Sequence, residues 1–88
     1  MPSEEDTAVL FASCQRVIGV KQSMRALRAG QAQSVYLACD ADPAVLAPVE
    51  SACELYGIVP DRSYTLGQLG EFGGISVGAA VIVVLREP

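Results

Sequence analysis

The chain has 88 residues, 51% of them hydrophobic and 18% charged, with a formal net charge of −4. That length predicts one domain over residues 1–88, and that composition supports a buried core and argues against disorder. With no histidine and no C-x-x-C pair among Cys14, Cys39 and Cys53, the chain lacks a ligand set for zinc and most partners for nucleophilic catalysis.

No stretch approaches the roughly 18–20 apolar residues of a membrane span. The nearest, Ile75 to Leu85, is short and rich in glycine and alanine. The start, Met1-Pro2-Ser3-Glu4-Glu5-Asp6, is acidic and lacks the basic opening of a signal peptide. A cytoplasmic protein with free, buried thiols is expected, with no membrane partner, small-molecule substrate, cofactor or metal.

Residues 3–16 read as a first helix, with Ser3 as N-cap and Leu10, Cys14 and Val17 at i, i+4 and i+7. Val17-Ile18 predicts a very short strand. Gly19 then turns the chain into a helix that ends at Gly30. On that helix Lys21, Arg25 and Arg28 share one face, while Val20, Met24 and Leu27 share a neighbouring apolar one. Residues 7–39 carry Arg16, Lys21, Arg25 and Arg28 and no acid, although the rest of the chain is acidic. A cationic stripe beside the unpaired N–H groups of a helix start is a place for an anion, and nucleic-acid phosphate is the obvious one. Arg16 is a further candidate for phosphate.

Ser34 to Cys39 is a nearly continuous apolar run, as in a strand buried on both faces. Asp42 and Pro43 predict a helix start, as N-cap and first helical residue. The alternative for Asp40 and Asp42 is a paired-carboxylate metal site, for which no third ligand is evident. Val45, Val49, Ala52 and Tyr56 line one face of this helix. Pro48 should kink it or strand a carbonyl, and Gly57 closes it. Ile58-Val59 predicts a short strand, biased by Pro60 to a sheet edge. Thr65 to Phe72 reads as a helix weakened by Gly67 and Gly70 and ended by Gly73-Gly74. The run from Val77 to Leu85 predicts a central strand. The alternation α-β-α-β-α-β-α-β places helices on both faces of a sheet.

Gly67-x-x-Gly70-x-x-Gly73-Gly74 fits neither a Walker loop nor a dinucleotide fingerprint. Gly74-Ile75-Ser76-Val77-Gly78-Ala79-Ala80 sets two aliphatic residues between glycines. It reads either as the start of the last strand or as an apolar ledge for an unstacked base.

Three of these segments carry a family resemblance. Ile18-Gly19-Val20-Lys21-Gln22-Ser23-x-Arg25-Ala26-Leu27, followed by Gly30, resembles the motif opening the RNA-contacting helix of the L-seven-Ae / L-thirty-e superfamily of ribosomal proteins, closest to its small bacterial members. Leu69-Gly70-x-x-x-Gly74-Ile75-x-Val77-Gly78-Ala79-Ala80 resembles that family's signature loop and last strand, and Asp40-Ala41-Asp42-Pro43 its next helix start. The resemblance implies an α/β fold, a three-layer α/β/α sandwich with a four-stranded mixed sheet. It implies non-enzymatic binding of kink-turn or kink-loop RNA, in ribosomal RNA or an mRNA leader, by a ribosomal or ribosome-associated protein. By motif, Gly19 and Val20 admit the RNA backbone at the helix start. Lys21 and Gln22 reach the sheared guanines, and Arg25 holds phosphate or base, with Arg28 extending the stripe. Ile75 and Val77 pack under the flipped-out nucleotide, and Ser76 and Gly78 shape the loop.

The chain departs from the small bacterial pattern at Val20, where threonine is usual. It departs again at Gly67, Gln68 and Glu71, where lysines are usual, and at Ser76, where glutamate is common. The alternative reading is a family-fold protein that has lost RNA affinity and acts through protein contacts.

Overall fold

The computed structural model describes residues 15–86. Six elements follow in order: β1 (Arg16–Ile18), α1 (Val20–Arg28), β2 (Ala32–Leu37), α2 (Pro43–Leu55), α3 (Leu66–Gly73) and β3 (Val81–Leu85). The expected helix over residues 3–16 falls outside the described residues except at its end. There the expectation is corrected: Arg16 belongs to a strand, paired with Val84. Its neighbours Val17 and Ile18 are β-branched and extend the ladder along one edge of β3.

The sheet has the order β1-β3-β2, and both pairings are antiparallel. The run Val81-Ile82-Val83-Val84 is central and fully buried, because successive side chains leave a strand on opposite faces. Val81 and Val83 join Val35, Leu37, Ala26, Leu27, Leu46 and Val49 beneath α1 and α2. Ile82 and Val84 join Ala38 and Leu69 beneath α3. On that side Tyr64 packs edge-on against Phe72, ring centroids 5.0 Å apart, and lies 6.3 Å from Tyr36. Helices therefore cover both faces of the sheet, as the alternation of elements requires.

Among the described residues the sheet has three antiparallel strands, and the fourth strand of the expected mixed sheet is not among them. Ile58-Val59 forms no strand. A single parallel bridge joins Asp61 to Tyr36 instead, with the Asp61 N–H donating to the Val35 carbonyl and the Leu37 N–H to the Asp61 carbonyl, each at 2.8 Å. Pro60 has no N–H to extend a ladder, and Val59 is 91% exposed, so no burial draws it in.

Helix boundaries follow the local chemistry. Asp42 caps α2 through an Oδ1 that accepts the Ala44 N–H at 2.9 Å, with Pro43 following it. The helix runs on through Pro48. The Ala44 carbonyl that loses its donor lies on an exposed turn, open to water. Thr65 caps α3 in a full capping box with Gln68. Gly74, at φ 75°, ends α3 in the left-handed region that glycine adopts without strain.

Candidate nucleic-acid interface

The start of α1 and the loop before β3 meet at one end of the sheet. The Gly19 N–H donates to the carbonyl of Val81, the first residue of β3, at 3.0 Å. Gly19 has φ 97° and ψ 158°, a backbone conformation open essentially to glycine alone. It turns the chain out of β1 and directly into helix. Gly19 carries no side-chain cap, and the first turn of α1 holds no acid. The early N–H groups, at the positive end of the helix dipole, thus carry no side-chain cap.

Lys21, Gln22, Arg25 and Arg28 are all exposed, so the cationic face reads as expected. Val20 and Met24 are half-buried against the core that contains Ala26 and Leu27. Lys21 and Gln22 lie in the first turn. Arg25 lies a turn further on, and Arg28 ends the helix about 12 Å along its axis from the start. The structure therefore joins Gly19 to the first residue of β3, with Lys21 and Gln22 in the helical turn that follows, and leaves Arg28 at the far end.

The loop is an exposed aliphatic ledge, not the opening of β3. Ile75 is 37% and Val77 69% exposed, although both are large apolar residues. Ser76 and Gly78 are exposed between and after them. The loop is fastened to α3 by two hydrogen bonds, from the Ile75 N–H to the Gly70 carbonyl and from the Ala79 N–H to the Leu66 carbonyl, both 3.0 Å. The Ala38 N–H, just past β2, donates to the Ala80 carbonyl at 2.9 Å. Every strand thus has a connection into this end of the molecule.

Three side chains have roles the sequence did not announce. The Asp40 Oδ1 accepts the Leu66 N–H at 2.7 Å, a second cap on α3 supplied across the fold. Among the described residues no cluster of metal-ligating side chains exists. Arg16, expected as a phosphate contact, is half-buried. Its Nη2 donates to the Gly73 carbonyl at 3.4 Å, where a cation suits the negative end of α3. Gln68 closes the capping box by accepting the Thr65 N–H at 3.0 Å. Glu71 stays exposed on α3. Ser23 is fully buried, and its hydroxyl has no hydrogen-bond partner among the described residues.

No family model matches the chain, but individual relatives do. It is 36% identical over 70 residues to an RNA-binding protein of Geobacillus sp. (strain WCH70), covering 80% of this chain and 85% of that one. It is 37% identical over 70 residues to the RNA-binding protein YbxF of Geobacillus stearothermophilus, with the same coverage. These relatives are named for RNA binding, not for a reaction. Among solved structures, a protein of unknown function from Bacillus halodurans superposes with a TM-score of 0.80 at 24% identity, over 91% of this chain and 80% of that one. A Giardia lamblia 15.5kD RNA binding protein superposes with a TM-score of 0.77 at 24% identity, over 96% of this chain and 68% of that one. Identity of that order speaks for the fold, and the curated relatives speak for descent. With Gly19 hydrogen-bonded to the first residue of β3, just past the loop that Gly74 opens, the chain belongs to the L-seven-Ae / L-thirty-e superfamily, among its small bacterial YbxF-like members.

Proposed function

We propose that this protein binds structured RNA without catalysis, and that its target is the kink-turn, a helix–bulge–helix bent on sheared G·A pairs. The observation that carries this reading is the uncapped, acid-free N-terminus of α1 set beside an exposed aliphatic loop. One half of that site suits a phosphate backbone and base edges, and the other suits the face of an unstacked base. The names of the bacterial relatives support RNA as the partner class.

In this reading Gly19 and Val20 let the RNA backbone approach the helix start. Lys21 and Gln22 read the guanine edges, and Arg25 neutralises phosphate. Arg28 adds long-range attraction from the far end of the stripe. Ile75 and Val77 form the seat for the flipped-out nucleotide, with Ser76 and Gly78 giving the loop its shape. Ribosomal RNA and mRNA leaders are the two sources to test, the first making the protein ribosomal or ribosome-associated.

The test is a titration of a generic kink-turn RNA against the same RNA with its sheared pairs removed. The kink-turn should bind about tenfold tighter or more, the scale of one or two good base contacts. Equal affinity for both RNAs would overturn kink-turn recognition. Absence of saturable binding at low salt would overturn RNA binding altogether and favour protein contacts, the reading that Glu71 and the acidic chain motivate.

A further inference from the structure

We infer that Gly70, buried within α3, is the positioning residue for the aliphatic ledge and so sets whether the site can grip a flipped-out base. The inference rests on the RNA reading above. A β-carbon on Gly70 would overlap the Val77 carbonyl oxygen. It would also lie 3.1 Å from the Val77 carbonyl carbon and 3.2 Å from Gly78 Cα. All three are backbone atoms of the loop, so no side chain can swing aside to make room. Helix and loop meet backbone to backbone only because residue 70 has no side chain.

The contact lies between the two hydrogen bonds that fasten the loop, from Ile75 to Gly70 and from Ala79 to Leu66. A loop tied at both ends and touching in the middle has its height over α3 fixed at Val77. That residue is 69% exposed while its carbonyl faces the helix. Gly78 repeats the device more gently, since a β-carbon there would meet the Leu66 Cβ at 3.0 Å. Other glycines of α3 do not share the role. A β-carbon at Gly67 would meet only the Thr65 Oγ1, at 3.9 Å, an ordinary contact. At Gly73 it would meet the Ile18 side chain, away from the loop.

Gly70→Ala adds one methyl group and improves helix propensity, so a loss of binding would come from the displaced loop. The experiment measures affinity for three RNAs: an intact kink-turn, the same RNA with an abasic flipped-out nucleotide, and the same RNA without its sheared pairs. For the wild type, removing the flipped base should weaken binding about tenfold, the scale of one buried base face. For Gly70→Ala the intact RNA should bind about tenfold more weakly, and the abasic change should add nothing further. The penalty for losing the sheared pairs, read from α1, should match the wild type. Gly67→Ala should bind as the wild type does. A folded Gly70→Ala protein that keeps the full abasic penalty would overturn the assignment.

If Gly70→Ala does not fold, Gly78→Ala takes its place in the same comparison, with an expected abasic penalty cut to about threefold by its milder contact. A readout without RNA separates this inference from the RNA reading. Backbone amide shifts of residues 75–79 should move in Gly70→Ala and hold in Gly67→Ala, with residues 19–28 unmoved in both. Unmoved 75–79 amides would overturn the positioning role. A wild type that binds no kink-turn RNA, with those amides displaced as expected, would sink the RNA reading and leave Gly70 as the seat of the loop.

Discussion

The three described helices begin in two different ways. The start of α2 is closed by Asp42 and Pro43. That of α3 is closed twice, by the Thr65–Gln68 box and by Asp40 reaching in from the end of β2. The start of α1 has neither a cap nor an acid, and it has a cation at Lys21. Glycine at an N-cap costs a helix only about a few tenths of a kcal/mol relative to Asp or Thr, so the fold can do without a side-chain cap on α1. Of the three described helix starts, that of α1 alone has no side-chain cap, and it is the one placed in the proposed site. A capped terminus holds the fold together, and an open one is available to a ligand.

Several substitutions would break or sharpen that contrast. The largest effect is expected from Gly19→Ala. Its backbone sits in a region nearly closed to other residues, so the change should cost about 1–3 kcal/mol of stability. It should also weaken RNA binding by displacing Lys21 and Gln22. An unchanged denaturation midpoint would mean that the turn into α1 tolerates a side chain. Gln22→Ala, which leaves the fold alone, should cost about 1–3 kcal/mol of affinity on a kink-turn and much less on RNA without sheared pairs. Equal losses on both RNAs would show that Gln22 does not read bases.

At the capped end of the comparison, Asp42→Ala should lower stability by about 1 kcal/mol and leave RNA affinity unchanged. An effect on affinity would show that the two kinds of helix start are not independent. Smaller still are the charge effects. Phosphate contacts release counterions, and with Lys21, Arg25 and Arg28 exposed, log K should fall by roughly two to three units per tenfold rise in salt. Arg25→Ala should reduce that slope by about one. Glu71→Lys should tighten binding most at low salt, where screening is weakest, and a salt-independent gain would point to a direct contact instead.

The smallest effect lies outside both regions and serves as a control. Burial pushes the Cys53 thiol above its ordinary range, Arg62 pulls it back and Glu50 raises it slightly. The folded form then holds its proton more tightly than the unfolded chain does. Stability should be intact at neutral pH and fall as pH rises through the alkaline thiol range. Thermal midpoints between neutral and alkaline pH for the wild type and Cys53→Ala would check this, the variant showing the flatter profile.

Much of this molecule was written locally. Asp42-Pro43, Thr65, and the glycines at positions 19, 30, 57 and 74 mark element boundaries because caps and positive φ depend on a few adjacent atoms. The helical spacing of Lys21, Arg25 and Arg28 likewise fixed which side chains α1 would show to solvent. The β-branched run ending at Leu85 announced the central strand, since a strand buried on both faces has apolar residues at every position. The candidate site residues were legible as two separate segments of chain, Gly19 to Arg28 and Ile75 to Gly78.

Tertiary structure decided what no short segment contains. Ile58-Val59 reads as a strand by residue type, yet the β2 edge accepts only the bridge at Asp61. Whether an edge is paired depends on the partner's geometry, and Pro60 has no N–H to offer. The cap that Asp40 supplies to α3 has its partner, the Leu66 N–H, 26 residues away. Arg16 carried the charge of a phosphate ligand, but its strand aims it at the C-terminal end of α3. The buried hydroxyl of Ser23 left no mark in a sequence where serine is usually exposed. The approach of Gly70 to the Val77 carbonyl is of the same kind. A glycine in a helix reads locally as a weakness, and only the loop folded back upon it shows why a side chain cannot be there.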